Sequence, residues 1–131
     1  MLEPHPLQPV PIMCGGESKA ALRRAAQLCD GWVGNAYTWE EAEERVTTLN
    51  ALRRSYGREH ESFDIMLAIR DVPSADMFKR AEDIGVTAVM CSPWAMADDV
   101  ASGAHDGFKL SAERYRAPIE RFAETILAKI S

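Results

Sequence analysis

The sequence predicts an α/β fold: four β-α units with parallel strands, the number in half of an eight-stranded (β/α) barrel. Three observations lead there. Short apolar runs alternate four times with segments of helical apolar spacing. Capping residues or glycines punctuate the joints between them. The third apolar run, FDIMLAIR at residues 63–70, is apolar almost throughout, as in a strand buried on both faces of a parallel sheet. Alternation of this kind implies parallel strands joined by right-handed crossovers. Four such units make half of a (β/α) barrel. They could also build a small open doubly wound sheet.

Each element follows from its residues. Prolines at positions 4, 6, 9 and 11 exclude a helix and make residues 1–10 an extended lead-in. Ile12-Met13-Cys14 is a very short strand. Ser18 then caps a helix in which Ala21, Leu22, Ala25, Ala26 and Cys29 share one face, and Asp30-Gly31 stops it. Trp32 to Asn35 is the second strand. Thr38 and Glu41 form a capping box, opening a helix with Ala42, Val46, Leu49 and Leu52 on one stripe and an end near Tyr56-Gly57. After the third strand, Pro73-Ser74 opens a helix with Met77, Phe78, Ala81 and Ile84 inward and Gly85 as its stop. VTAVMCS, residues 86–92, is the fourth strand. Pro93 to Lys109 has little periodicity and reads as a long loop, expected to be poorly ordered. The last helix carries Ile119, Phe122, Ala123, Ile126, Leu127 and Ile130, with Pro118 in its first turn. The whole chain, residues 1–131, is read as one domain.

Composition narrows the function. A formal net charge of −5 argues against nucleic-acid binding. No apolar run reaches the ~18 residues of a membrane span, and the N-terminal segment lacks the pattern of a secretory signal. Cys14, Cys29 and Cys91 are odd in number and lack metal-ligand spacing. They read as small core hydrophobes of a cytoplasmic protein.

The segment PIMCGGESKAALRRAAQLCDGW, residues 11–32, carries the strongest functional signal. In parallel α/β sheets the residues after each strand's C-terminal end line the ligand face. Gly15 and Gly16 stand there, with Ser18 heading a helix. Glycines admit close approach to the backbone, and a helix N-terminus favours an anion such as phosphate. Ser18 adds a hydroxyl and Lys19 a cation, whereas Glu17 opposes an anion unless it points away. The same residues also suit a tight turn with no ligand.

This segment resembles the luciferase-like flavin and deazaflavin oxidoreductases, in which a strand ends in Gly-Gly, followed by a Ser, an Ala/Leu/Arg-rich helix and Asp-Gly-Trp. The matching residues are Gly15, Gly16, Ser18, Ala21, Leu22, Arg23, Arg24, Ala25, Ala26, Asp30, Gly31 and Trp32. AEDIGVTAVMCSPW and IERFAETIL resemble the family's tail, so the likeness corresponds to its C-terminal half. The resemblance implies a (β/α) barrel and an oxidoreductase or monooxygenase. It also implies a coenzyme, FMN or 8-hydroxy-5-deazaflavin (coenzyme F-420), with its phosphate held by Gly15, Gly16, Glu17 through its backbone, Ser18 and Lys19. The family's N-terminal half supplies much of the ring pocket and the substrate-facing residues. Catalytic residues are therefore not assigned.

Further pocket candidates are Asn35 and Arg70 at strand ends, Trp94 just after a strand, and His105 in the loop that leaves the ligand face. Each has a plainer alternative: core or interface packing for Trp94, pairing with Asp71 for Arg70, and a surface position for His5, His60 and His105. Asp98, Asp99 and Asp106 read as solvated. The leading reading is thus a flavin- or deazaflavin-dependent oxidoreductase module. Its rival is a half-barrel remnant without catalysis that acts in binding or oligomerisation. Either form needs cover for its open sheet face, from a second copy in a homodimer or from a complementary N-terminal-half chain.

Overall fold

The computed structural model describes residues 6–96 and 112–130. Four parallel strands run β1 (Met13–Gly15), β2 (Gly31–Tyr37), β3 (Asp64–Ile69) and β4 (Ala88–Val89). Helices α1 (Lys19–Leu28), α2 (Trp39–Ser55) and α3 (Ala75–Asp83) connect them. A 3-10 turn, Pro93–Met96, follows β4. The final helix, α4 (Ala112–Phe122), runs on through a π-helical turn, Ala123–Leu127, to Ile130.

The strands lie side by side in sequence order. This order separates the two architectures that alternation alone allows. A doubly wound sheet reverses its strand order at a switch point and carries helices on both faces. Sequential order with right-handed crossovers stacks every helix on one face, as in a barrel wall. Burial follows suit. Ile65, Leu67 and Ile69 of β3 are buried in a core with Trp32 and Tyr37 of β2, Leu22 and Ala25 of α1, Val46 and Leu49 of α2, and Met77 and Ala81 of α3. The alternate residues Val33, Met66, Ala68 and Ala88 are only half-buried on the opposite, concave face.

Local chemistry sets the helix ends as the sequence predicts. Ser18, Thr38 and Ser74 each accept a hydrogen bond from the backbone three residues on, and Glu41 completes the box by accepting from the Thr38 N–H at 2.9 Å. Gly85 closes α3 at φ +94°, a conformation that disfavours any side chain. Arg53, buried near the end of α2, donates to the carbonyls of Arg58 and Glu61 and lies 4.6 Å from the Phe63 ring centroid, fixing the path into β3.

Several boundaries differ from the sequence reading. β2 runs on to Tyr37 instead of ending at Asn35, through an irregularity between Val33 and Ala36 where Asn35 Oδ1 accepts from the Ala36 N–H at 2.9 Å. β4 is confined to Ala88 and Val89, the two residues in register with Met66 and Leu67 of β3, and its other side pairs with no strand among the described residues. Pro118 lies inside α4, not in its first turn. Of the predicted stripe on the last helix, Phe122 and Ile126 are buried. Ile119, Leu127 and Ile130 stay 43–46% exposed, beside a π turn that rotates the face out of step. Of the predicted loop, Pro93–Met96 forms the 3-10 turn and residues 97–111 lie outside the described residues.

Candidate functional site

The Gly15-to-Lys19 turn stands at the C-terminal end of β1, where α1 begins. Gly16 has φ +107°, and a Cβ there would meet the Ala21 Cβ at 2.9 Å, so both conformation and space demand glycine. Gly15 differs. A Cβ there would meet only the Val33 carbonyl oxygen, at 3.8 Å, and would otherwise face open space. Gly15 pairs with Val33, which pairs with Met66, so that space belongs to the concave side of the sheet.

A buried tryptophan fixes the turn. Trp32 Nε1 donates to the Gly16 carbonyl at 2.9 Å, and the indole is fully buried. Its ring stacks on Tyr37 with centroids 6.1 Å apart. Gly34 makes room for this pair, since a Cβ there would collide with both rings. Ser18 Oγ accepts from the Ala21 N–H at 3.1 Å and keeps its own proton free to donate. The amides of Glu17, Ser18, Lys19 and Ala20 donate to no acceptor among the described residues. The turn therefore presents unpartnered N–H groups, a hydroxyl and the positive end of α1 in one place.

Sequence reasoning missed two residues beside this turn. Tyr37 is 4% exposed, and its hydroxyl makes no hydrogen bond. Burial pushes its phenol upward; the Asn35 backbone opposes that, and the neighbouring Glu17 carboxylate adds to it. Arg45 of α2 lies near the same hydroxyl, and its Nε is likewise buried without a partner. The signal for Tyr37 was present as an aromatic just before the Thr38 cap. Its electrostatic relation to Glu17 spans 20 residues of sequence and was not legible.

The remaining candidates disperse. Asn35 is exposed, with its side chain turned back on the Ala36 amide. Arg70 is exposed just beyond β3 and forms no ion pair with Asp71, whose carboxylate accepts from Trp39 Nε1 at 3.2 Å and from the Val72 N–H. Trp94 packs edge-to-face on Tyr115 of α4 at 5.6 Å, which is the packing alternative. His5, His105, Asp98, Asp99 and Asp106 lie outside the described residues. His60 is on the surface, 3.8 Å from Glu59. Cys29 is buried, while Cys14 and Cys91 are half-buried, and burial pushes the Cys29 and Cys91 thiols up. No cluster of metal-ligating side chains occurs among the described residues.

Hollows border the sheet in several places. A cavity of about 220 Å³ lies beyond β2, β3 and β4, lined in part by Ala36, Ala68, Asp71, Met90, Cys91 and Ser92. A larger groove of about 730 Å³ follows β4 between α3 and the last helix, at the opposite sheet edge from the turn. No described helix is long and apolar enough to cross a membrane.

Fold and turn together define a class: a four-unit piece of a parallel (β/α) barrel with an open, glycine-built turn at the C-terminal end of its first strand. Within that class the chain belongs to the luciferase-like monooxygenase family, whose profile matches residues 1–83. Along 98% of its length it is 33% identical to uncharacterized proteins of Mycobacterium tuberculosis and Mycobacterium bovis. The chain spans 42% of the length of those relatives.

Proposed function

We propose that this chain is the coenzyme-phosphate-binding part of a flavin- or deazaflavin-dependent oxidoreductase. The observation that carries the reading is the set of free amides at Glu17, Ser18, Lys19 and Ala20, framed by two glycines and the Ser18 hydroxyl. Backbone N–H groups at a helix N-terminus are a recurrent phosphate receptor. The residues fit such a group: Gly15 leaves open space on the concave side, and Gly16 holds the turn that aims the amides. FMN and coenzyme F-420, the phosphate-bearing form of 8-hydroxy-5-deazaflavin, each carry a phosphate that suits this receptor. When bound, the coenzyme supplies the redox chemistry, and the protein binds and orients it. Three unpaired thiols fit a reducing compartment such as the cytoplasm.

The half-buried apolar residues of the concave face support a second element of the proposal. Val33, Met66, Ala68 and Ala88 need cover, and the exposed edges of β1 and β4 need partners. A second copy, or a chain carrying the family's other barrel half, supplies both. If the concave face serves only that association, the chain acts as a non-catalytic binding or oligomerisation module.

Fluorescence titration of FMN and of the deazaflavin against the full chain tests the main reading. Saturable quenching by at least one coenzyme, competed by inorganic phosphate, is the expected result. No quenching by either, with the chain alone or mixed with an N-terminal-half partner, removes the proposal.

A further inference from the structure

Asp71 stands just beyond β3 and lines the cavity of about 220 Å³ at the ends of β2, β3 and β4. The residue is exposed, yet its carboxylate is held from two sides. Oδ2 accepts from the Trp39 indole at 3.2 Å, across 32 residues, and Oδ1 accepts from the Val72 N–H at 2.7 Å. The indole is held in turn. The Arg80 guanidinium lies 4.0 Å from its ring centroid and pairs with Glu43 at 3.4 Å. A carboxylate offers about four acceptor sites, so Asp71 keeps capacity for a further donor.

The rest of the cavity is mostly apolar. Ala36 and Ala68, paired across β2 and β3, contribute small side chains, and Met90 and Cys91 bring sulfur atoms that suit an aromatic ring. Burial pushes the Cys91 thiol up, so it lines the cavity as a neutral group. Ser92 adds a hydroxyl. An apolar hollow with one carboxylate and one hydroxyl suits a flat ring that carries a donor beside an acceptor. The glycine turn follows β1 and Asp71 follows β3, two strand spacings away, or roughly 10 Å. A coenzyme held by its phosphate at the turn carries its ring on a ribityl chain of about that reach. FMN and the deazaflavin share one ring edge, an imide N–H between two carbonyls.

We propose that this cavity receives the imide edge of the coenzyme ring, with Asp71 accepting from the imide N–H, Ser92 donating to a flanking carbonyl, and Trp39 as the residue that positions Asp71. The inference rests on the coenzyme-phosphate reading for the other end of the molecule and adds a ring subsite to it.

Three probes on the full chain test the subsite. Riboflavin has the ring and no phosphate. Riboflavin methylated at the imide nitrogen lacks the donor. Inorganic phosphate reports on the turn through the Ser18 and Lys19 amide shifts. In fluorescence titrations the wild type binds riboflavin about tenfold or more tighter than the methylated form, the scale of a hydrogen bond to a charged group. This comparison needs no variant, so it stands whatever a substitution does to folding. Asp71→Ala lowers riboflavin affinity by a similar factor and leaves the methylated form and phosphate unaffected. Trp39→Phe lowers riboflavin affinity about two- to fivefold and also spares the methylated form, whereas a general loss of packing would weaken both. Equal binding of the two riboflavins by the wild type, or riboflavin affinity unchanged in Asp71→Ala, overturns the ring subsite, and a phosphate response at the turn then leaves the coenzyme-phosphate reading standing. Riboflavin binding with the expected Asp71 dependence but no phosphate response overturns the phosphate reading alone. Silence with every probe overturns both.

Discussion

The indole of Trp32 donates a hydrogen bond of 2.9 Å to the carbonyl of Gly16, tying a core side chain of β2 to the turn that opens α1. This bond makes the shape of the turn a property of the hydrophobic core. Trp32 is fully buried in the core with Leu22 and Ala25 of α1, so the carbonyl it holds is anchored to that core. For the proposed phosphate receptor, a turn fixed in this way means that binding need not first order a loop.

Trp32→Phe removes that bond and leaves a void where the larger ring was. It should destabilise the protein by about 1–3 kcal/mol. It should also weaken coenzyme binding more than an equally destabilising change in a distant part of the core, such as Leu49→Ala. Denaturant midpoints and coenzyme titrations on the two variants make the comparison; equal affinities would show that the bond does not matter to the site.

The two glycines should separate under substitution. Gly16→Ala forces a side chain into φ +107° and against Ala21, with an expected cost of about 1–3 kcal/mol. Gly15→Val meets no such obstacle and should leave the melting temperature nearly unchanged. Its side chain nevertheless fills the space on the concave side, so coenzyme binding should fall at least tenfold. Unchanged affinity in a folded Gly15→Val protein would place the coenzyme elsewhere.

Ser18 has two roles that different replacements pull apart. Ser18→Ala deletes the cap, at a cost of about 0.5–2 kcal/mol, together with the hydroxyl. Ser18→Asp keeps a good cap and suits the helix dipole, but adds a negative charge to the receptor. Thermal melts should therefore rank Ser18→Asp at or near wild type and Ser18→Ala below it, whereas coenzyme binding should be poorest in Ser18→Asp. If the aspartate variant binds as the wild type does, no anion is held at this turn.

Association should depend on the concave face. Sedimentation at micromolar concentration should give a mass of at least twice the 14.5 kDa of one chain. Met66 lies mid-sheet on that face, half-buried, between Val33 and Ala88. Met66→Lys should shift the population toward monomer, since a charge buried in an apolar contact is expensive. A monodisperse monomer of wild type would mean that the four-unit sheet needs no cover.

Much of this protein was legible because it is written in short-range patterns. Ser18, Thr38 with Glu41, and Ser74 cap helices by bonding to backbone three residues away. Gly85 stops α3 through its own φ. The apolar run of β3 needs only its neighbours to be read. Boundaries failed where a partner far along the chain decides them. β4 ends where β3 stops pairing with it, and β2 continues past Asn35 because Ala36 and Tyr37 pair with Ala68 and Ile69.

The sequence by itself determined the number and order of strand–helix units, the helix caps, the glycine turn and the resemblance that names the family. Only the tertiary structure decided that the strands lie in sequence order, with Val33, Met66, Ala68 and Ala88 on a face that is half-buried among the described residues. It alone joined Trp32 to Gly16 across 16 residues and stacked Tyr37 on Trp32. The reason is one of range. Capping and periodicity act within a turn of helix or a few residues of strand, so they are encoded where they occur. Strand order and the meeting of distant side chains are set by which apolar faces must be buried together, a condition that many local sequences satisfy and only the whole chain resolves.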